Sequence, residues 1–150
     1  MTIKGITFIS RVVRDLDTSL AFYRDYFDLK VVMGPGEYSG PEMDSMTGID
    51  SVKFRIVMLQ GNEGAIFELM QFLNPIGKQF QEINATDVGH TFMAIEVSNL
   101  DQVLEDLKLK GLKIENPIQE YQGGKFCYIW GPDQELIELM ELDSPLSYPC

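Results

Sequence analysis

Two glutamates stand alone inside apolar stretches of the sequence, and they are the side chains best suited to do chemistry. Glu68 lies within the run IFELM, and Glu138 lies within the similar run LIELM, 70 positions further along the chain. A carboxylate among apolar side chains is poorly hydrated, which favours its role as a proton acceptor in general acid–base catalysis. The alternative interpretation is that each glutamate simply points to solvent from a half-buried strand.

His90 is the one histidine in the sequence and the other candidate for acid–base chemistry. It stands two positions before Phe92, so a regular strand would direct both side chains to the same face of a sheet. Three functional roles are open to it: a displaced metal ligand, a general base or a substrate contact. A structural role, as a hydrogen-bonded histidine at the start of the strand, explains its position equally well.

These residues must be positioned by a pattern of strands and helices that occurs twice. Alternating β-branched and aromatic residues predict the strands, and apolar residues repeating every three or four positions predict the helices. In the first copy we predict strands over residues 5–13, 30–33, 52–60 and 65–73 and a helix over residues 17–29. In the second copy we predict strands over residues 90–97, 113–117, 125–130 and 135–142 and a helix over residues 100–110. The order is therefore β-α-β-β-β in both copies.

The sequence supports this repeat directly. The segment VRDLD at residues 13–17 matches VSNLD at residues 97–101, an offset of 84, whereas the closing strands match at an offset of 70. The offsets differ because the first copy carries a longer loop rich in glycine and proline, residues 34–50. One such unit has an apolar sheet face that it cannot cover alone, whereas two units side by side can.

We therefore expect a single domain of the α+β class. Its two tandem βαβββ modules should form a strongly curved, open, barrel-like sheet of eight strands around a cleft. The expected parts are module one at about residues 5–73, a linker at 74–89, module two at about 90–142 and a C-terminal tail at 143–150. Both glutamates should face this cleft, because their apolar neighbours along each strand are better suited to the face that a helix covers.

Three segments resemble the vicinal oxygen chelate superfamily, which includes glyoxalase I, methylmalonyl-CoA epimerase, extradiol dioxygenases and the bleomycin and fosfomycin resistance proteins. The run RVVRDLDTSLAFYRDYFDL resembles the opening of its first module, and FELMQFLNP resembles the end of that module. The run GPDQELIEL resembles the turn and final strand of its second module. The resemblance implies a homodimer. It also implies a divalent metal held by His or Gln on the first strand and by Glu on the last strand of each module.

The implied metal ligands are only half present in this sequence. Glu68 and Glu138 fall on the two carboxylate positions, but the two first-strand positions are Phe8 and Phe92, and phenylalanine cannot coordinate a metal. We therefore expect no cofactor at the usual site. A divalent metal held by Glu68, Glu138 and His90 is the remaining alternative, since three protein ligands with open positions are typical of catalytic sites.

Strand alternation adds further candidates to the same cleft. The predicted substrate contacts are Phe8, Ser10, Met70, Phe92, Tyr128, Trp130 and Met140. As a set they favour a partly apolar or aromatic ligand, because methionine adapts to irregular apolar shapes and aromatic rings stack. Taken singly, each of the aromatic and methionine residues is better explained as part of a hydrophobic core.

Three functions are consistent with these residues. The first is an enzyme of isomerase, epimerase or lyase type that acts on a small, partly apolar carbonyl or ring compound, with Glu68, Glu138 and His90 moving protons. The second is a binding protein without catalysis, like the drug-sequestering resistance members of the superfamily. The third is a metal-dependent enzyme of the glyoxalase or dioxygenase kind.

The composition and charge of the chain limit the kinds of binding partner that we expect. The chain has 150 residues, of which 45% are hydrophobic, and a formal net charge of −11. So acidic a surface repels phosphate backbones and anionic lipids, so neither nucleic acid nor membrane is expected as a partner. No apolar run approaches the roughly 20 residues that span a bilayer, and the N-terminus lacks the features of a signal peptide. The two cysteines, Cys127 and Cys150, have no metal-type spacing, so we expect a reducing, cytoplasmic setting.

Overall fold

The computed structural model describes residues 4–78, 84–114 and 116–143. It divides the chain into two compact units, Met1–Phe80 and Gln81–Cys150. Each unit contains one four-stranded mixed sheet, and a helix follows the first strand of each. The α+β class and the two tandem βαβββ modules are thereby confirmed.

The first unit contains four strands and two helices. They are β1 (Phe8–Val12), α1 (Leu16–Phe27), β2 (Lys30–Ser39), α2 (Pro41–Thr47), β3 (Lys53–Gln60) and β4 (Ile66–Asn74). The strand order in the sheet is β1-β4-β3-β2, with β1 parallel to β4 and the other neighbours antiparallel. This order places β4, which carries Glu68, inside the sheet rather than at its edge.

The second unit repeats this order with shorter elements. They are β5 (Met93–Glu96), α3 (Leu100–Leu109), β6 (Gln119–Tyr121), β7 (Gly124–Trp130) and β8 (Leu136–Leu142). The strand order is β5-β8-β7-β6, with β5 parallel to β8. Glu138 on β8 is thus placed inside its sheet in the same way as Glu68.

The repeat extends to the hydrogen bonds that begin each long helix. The side chain of Asp15 caps α1 by accepting a hydrogen bond from Thr18 N at 2.7 Å, and Asn99 caps α3 by accepting one from Gln102 N at 3.0 Å. Such caps satisfy backbone donors that have no partner within the helix. Asp15 and Asn99 are equivalent positions of the two copies.

A second pair of equivalent contacts ties each helix to the closing strand of its sheet. Gln71 Oε1 accepts a hydrogen bond from Leu16 N at 3.1 Å, and Glu141 Oε2 accepts one from Leu100 N at 2.6 Å. Both acceptors lie three residues after the glutamates at 68 and 138. The position of each helix is therefore linked directly to the strand that carries the candidate catalytic residue.

The predicted strand over residues 113–117 is wrong for the part of that range that the structure describes, residues 113, 114, 116 and 117. The edge strand of the second sheet is instead β6, which pairs with β7 through a turn at Gln122 and Gly123. Both turn residues have positive φ, 47° and 79°, as the two-residue turns of β-hairpins require. Pro117 explains the shift, because proline has no N–H to donate to a ladder.

The segment from residue 34 to residue 50 contains more regular structure than the sequence indicated. Strand β2 continues through two register shifts to Ser39, and the short helix α2 follows. Proline stands at the first turn of α2, where a missing N–H costs nothing, and Gly48 ends the helix in the left-handed conformation with φ of 70°. The Asp44 carboxylate then accepts hydrogen bonds from Ser51 N and Val52 N at 3.0 and 2.8 Å.

Two boundaries also differ from the predictions. Strand β5 begins at Met93, so His90 and Phe92 precede it; His90 N closes a turn by donating to Asp87 O at 3.0 Å. Of the predicted linker, Asn74 belongs to β4, and residues 79–83 lie outside the described residues. The tail after residue 143, with Cys150, also lies outside them.

Candidate functional site

Glu68 is a buried carboxylate in the middle of the first sheet. Its neighbours in register are Ser10 on β1 and Met58 on β3, and only 4% of it is exposed. The adjacent Phe67 packs edge-on against Tyr23 of α1, with ring centroids 5.0 Å apart. Because side chains alternate along a strand, Glu68 lies on the face opposite α1.

The carboxylate of Glu68 has no hydrogen bond or ion pair with any residue that the structure describes. An acidic side chain among apolar neighbours, with no hydrogen-bond partner in the protein, contributes less to folding stability than an apolar side chain would. A group of this kind is a candidate for function on physical grounds, since a buried apolar residue would stabilise the sheet more.

Glu138 occupies the equivalent position in the second sheet but has a partner. Its neighbours in register are Ala94 on β5 and Tyr128 on β7. The Tyr128 hydroxyl donates a hydrogen bond to Glu138 Oε1 at 2.6 Å. That hydrogen bond, together with burial, raises the pKa of Tyr128 to about 12, so the phenol stays protonated throughout the physiological pH range.

The two glutamates therefore differ in what they can do. Glu68 can accept a proton with either oxygen, whereas Glu138 has one oxygen engaged by the phenol. Strand alternation predicts Tyr128 as a ligand contact but does not predict its hydrogen bond to Glu138. The pairing follows from the register of β7 with β8, which places Tyr128 opposite Glu138 and which the sequence pattern does not fix.

His90 lies against Phe92, although neither residue is in the strand that was predicted to place them on one face. Their rings are edge-to-face with centroids 5.2 Å apart. Both ring nitrogens of His90 are buried, and neither has a hydrogen-bond partner among the described residues. The structural interpretation, a histidine whose ring is held by hydrogen bonds at the start of a strand, is thus not what the described residues show.

The other predicted contacts of the first unit share the Glu68 face by alternation and register. Phe8 pairs with Ile66 and is 44% exposed, while Ser10 is also exposed. Met70 is partly buried against an apolar cluster formed by Val52, Phe54 and Ile56. The face around Glu68 is therefore apolar, with the Ser10 hydroxyl as its polar neighbour in register.

In the second unit, the predicted contacts also follow the face that carries Glu138. Tyr128 and Trp130 alternate along β7, and Met140 lies two residues after Glu138 on β8. Met140 is buried, whereas Trp130 is 41% exposed at the end of its strand. Phe92, which precedes β5, is 55% exposed.

Another buried glutamate, Glu135, was not predicted from the sequence as a site residue. It is 1% exposed, and its Oε2 accepts a hydrogen bond from Asp133 N at 2.8 Å. Its backbone oxygen also accepts from Gly131 N at 2.9 Å, and its side chain fills the space that a side chain at position 131 would need. Glu135 therefore stabilises the turn between β7 and β8, which fixes the register of Tyr128 with Glu138.

Paired βαβββ units with a glutamate inside each sheet define a class of proteins, the vicinal oxygen chelate fold. Residues 5–139 match the family model of the Glyoxalase/Bleomycin resistance protein/Dioxygenase superfamily, and the chain belongs to this superfamily. Among curated proteins, none matches the sequence significantly.

Solved structures show the same fold. A glyoxalase family protein from Bacillus cereus is 24% identical, with a TM-score of 0.82 over 94% of this chain and 95% of that one. The fosfomycin resistance protein FosX from Listeria monocytogenes is 21% identical, with a TM-score of 0.60 over 93% and 94%. The antibiotic-binding protein TnmS3 from Streptomyces sp. CB03234 is 14% identical, with a TM-score of 0.64 over 95% and 99%. Identities this low establish the fold alone.

The residues of this chain do not fit the metal that the superfamily often uses, as in the FosX structure with Mn(II). The resemblance implies metal ligands at positions 8 and 92, but both hold phenylalanine, which cannot coordinate a metal. Of the two glutamates, Glu138 already accepts a hydrogen bond from the Tyr128 hydroxyl through Oε1. Within residues 4–78, 84–114 and 116–143, no group of three or more His, Cys, Asp or Glu side chains has the arrangement that could hold a metal ion. In the same ranges no helix is long and apolar enough to cross a membrane.

Proposed function

We propose that this protein is a small-molecule enzyme of isomerase, epimerase or lyase type. It would move a proton of a partly apolar carbonyl or ring compound, with Glu68 as the base. The observation that carries this proposal is the Glu68 side chain, a residue only 4% exposed in the middle of an apolar sheet face, which has no partner among the described residues. General base catalysis requires a side chain that can come within hydrogen-bond reach of the substrate proton.

The remaining predicted site residues take supporting roles in this proposal. Glu138 and His90 are the other polar groups that would contact the reacting part of the ligand. The apolar and hydroxyl contacts would be Phe8, Ser10, Met70, Phe92, Tyr128, Trp130 and Met140. The exposed rings of Phe8 and Phe92 support the proposal of an apolar ligand. Stacking on these rings and burial of their surface would both stabilise the bound state.

The proposed chemistry uses side chains of the chain itself rather than a metal. The available side chains support this, because Phe8 and Phe92 stand at the two first-strand positions where the superfamily resemblance implies metal ligands. A homodimer and a cytoplasmic location complete the proposal. The buried free thiol of Cys127 is consistent with a reducing compartment.

Hydrogen exchange into small carbonyl compounds tests this proposal. The purified protein would be incubated in D2O, with a chelator present, with a panel of ketones and aldehydes that carry hydrogens on the α-carbon. Proton NMR should show enzyme-dependent loss of an α-hydrogen signal for at least one compound. The absence of exchange with every compound of the panel would contradict the proposal.

The second candidate function is binding of a small molecule without catalysis. The same fold is found in the antibiotic-binding protein TnmS3, and the rings of Phe8, Phe92 and Trp130 are available to a ligand in the free chain. A net charge of −11 would favour cationic compounds. Saturation-transfer NMR separates the two functions, because the binding function predicts bound compounds whose α-hydrogens do not exchange.

A metal-dependent enzyme of the glyoxalase or dioxygenase kind is the third candidate. Its remaining ligands would be Glu68, Glu138 and His90. Elemental analysis of protein purified without chelator tests it: one tightly held metal ion per chain would favour this function over the two others.

A further inference from the structure

Tyr38 of the first unit stands on the sheet face that carries Glu68. We propose that its hydroxyl group recognises a hydrogen-bond acceptor at the end of the ligand furthest from Glu68, which makes Tyr38 a specificity-determining residue. Every residue of this subsite belongs to the first unit. The role of Tyr38 rests on the proposed function in one respect, because Glu68 is taken as the group that the reacting end of the ligand reaches.

The strand register places Tyr38 on the face of Glu68. Tyr38 of β2 pairs with Phe54 of β3, and Phe54 pairs with Phe72 of β4. Phe72 lies four residues after Glu68, and side chains an even number of residues apart share one face of a strand. The Phe54 ring stacks on Tyr38 at 5.7 Å with 20° between the planes, and it lies 5.9 Å from the Phe72 ring. Tyr38, Phe54 and Phe72 therefore form an aromatic row across the sheet.

The Tyr38 ring points from the aromatic row towards Glu68. It lies over Gly36, where the Cβ atom of a side chain would stand 3.0 Å from the Tyr38 hydroxyl oxygen and 3.2 Å from Cζ. Gly36 pairs with Ile56, and Ile56 pairs with Met70, so these three residues form a middle row between the aromatic row and Glu68. The hydroxyl therefore stands over the middle row, in space that any side chain at position 36 would need.

The second unit shows that this arrangement is not required to build the sheet. The counterpart of Tyr38 is Tyr121, because it pairs with Gly124, the residue of β7 that occupies the position of Phe54. Gly124 has no ring on which a tyrosine could stack, and Tyr121 is 67% exposed. The same strand pairing thus forms with a tyrosine that faces solvent, so the packed ring of Tyr38 has a role other than strand pairing.

The chemistry of the hydroxyl and its surroundings indicates what it recognises. The Tyr38 hydroxyl has no hydrogen-bond partner among the described residues, although its ring is packed. A phenol is a better donor than acceptor, because its lone pair is conjugated with the ring, so the matching ligand group is an acceptor. Ile56 and Met70 beside it in the middle row are apolar and suit the hydrocarbon body of the same ligand.

The spacing on the sheet limits the length of this ligand. Gly36 and Glu68 lie two strands apart at about 4.8 Å per strand and one row apart at about 6.8 Å, so about 12 Å separates them. A hydrogen bond at the hydroxyl and a contact at the carboxylate each take up about 3 Å, which leaves about 6 Å for the ligand. One para-substituted benzene ring spans this distance. The ligand class is thus a carbonyl compound with a phenyl ring on its α-carbon and an acceptor group at the para position.

Binding of two ketones that differ only at the para position tests the role of Tyr38. The probes are para-cyanophenylacetone and para-methylphenylacetone, because the nitrile group accepts a hydrogen bond and the methyl group does not. The wild-type protein should bind the nitrile compound about three- to tenfold more tightly in NMR titrations, the contribution of one hydrogen bond. Tyr38→Phe should lose this preference and keep its affinity for the methyl compound, since the ring and its stacking on Phe54 remain. Tyr121→Phe is the matched control and should keep the preference.

Two further measurements separate recognition from a merely structural role of Tyr38. Gly36→Ala should reduce the preference although the hydroxyl is still present, because the added Cβ atom displaces the ring. Infrared spectroscopy of the bound nitrile reports the hydrogen bond itself. The stretching frequency should be higher in the wild-type complex than in the Tyr38→Phe complex, a difference that altered protein stability would not produce.

Equal Kd values of the two ketones in the wild-type protein, or failure of both to bind, would overturn the proposal. The same nitrile frequency in the wild-type and Tyr38→Phe complexes would also contradict it. These measurements require no turnover, so they are independent of the proposed function. If the protein exchanges no α-hydrogen but prefers the nitrile through Tyr38, the proposed function fails and the subsite stands. If it exchanges α-hydrogens without a preference that depends on Tyr38, the subsite is wrong and the proposed function stands.

Discussion

At the scale of single residues, the two glutamates show how position and surroundings contribute separately to chemistry. Both lie inside a sheet, on the face away from the helix, and both follow from strand alternation. The partner of each depends on the neighbouring antiparallel strand, which supplies a methionine in one unit and a tyrosine in the other. Equivalent positions therefore provide a carboxylate without a described partner and a carboxylate that is held.

This difference predicts opposite effects of the same substitution on stability. Glu68→Met replaces a buried, unpaired carboxylate by an apolar side chain of similar length and should raise the free energy of unfolding by about 1 kcal/mol. Glu138→Met is the matched variant, and it should lower that free energy by about 1 kcal/mol, because it leaves the Tyr128 hydroxyl without its acceptor.

Urea denaturation followed by circular dichroism measures both changes. Equal destabilisation by the two substitutions would show that Glu68 contributes to the stability of the fold, and it would remove the main support for a functional role of its burial.

At the scale of elements, the two helix caps allow a test of local electrostatics with a built-in control. Asp15 and Asn99 make the same hydrogen bond at equivalent positions, but only Asp15 can be protonated. The hydrogen bond from Thr18 lowers the pKa of Asp15 below its usual value of 3.8. A lowered pKa means that the stabilisation by this cap is present above pH 3.8 and is lost as the pH falls through the pKa in the folded protein.

Substitution of either cap by alanine should cost about 1 kcal/mol near pH 7. The cost of Asp15→Ala should become smaller as the pH falls below 3.8, whereas the cost of Asn99→Ala should stay constant, as measured by urea denaturation between pH 7 and pH 2.5. A pH-independent cost of Asp15→Ala would contradict the assignment of Asp15 as an ionised cap.

The elements that the sequence predicts well are those with a strong periodic pattern. The strands β3, β4, β7 and β8 alternate over seven or more residues, and the helices α1 and α3 present apolar residues at helical spacing. Local patterns predict them because burial of one face outweighs other preferences. The same alternation places Glu68 on the face opposite the helix.

The elements that the sequence predicts poorly depend on turns and on partner strands. Strand β6 has three residues, and its position follows from the turn at Gln122–Gly123 rather than from its own composition. Helix α2 has seven residues and depends on the contacts of Asp44 with the backbone after it. The Tyr128–Glu138 hydrogen bond depends on the register of two strands, which the turn with Glu135 fixes and periodicity alone does not.

At the scale of the whole molecule, membership in the superfamily establishes a fold that hosts several chemistries. Which of these chemistries a member carries out depends on the side chains that are available to bind a metal. Phe8 and Phe92 remove two of the four ligands that the resemblance implies, and carboxylates alone bind transition metals weakly.

We therefore predict that protein purified without chelator and then dialysed retains less than about 0.1 mol of Mn, Fe, Co, Ni or Zn per mol of chain, because two carboxylates make a weak site. Inductively coupled plasma mass spectrometry measures this. Substitution of Phe8 and Phe92 by histidine is the matched gain-of-ligand variant, and it should raise the retained metal. Stoichiometric metal in the wild-type protein would show that His90 or another group completes a site.

The rate of α-proton exchange in Glu68→Gln tests the central claim most directly. Glutamine keeps the size of the side chain and its capacity to accept hydrogen bonds but cannot take up a proton, so exchange should fall by about 10² to 10⁴ while ligand binding is retained. Glu63→Gln, an exposed glutamate in the turn before β4, is the matched control and should keep the wild-type rate. Full exchange by Glu68→Gln, with the control unchanged, would show that Glu68 is not the base.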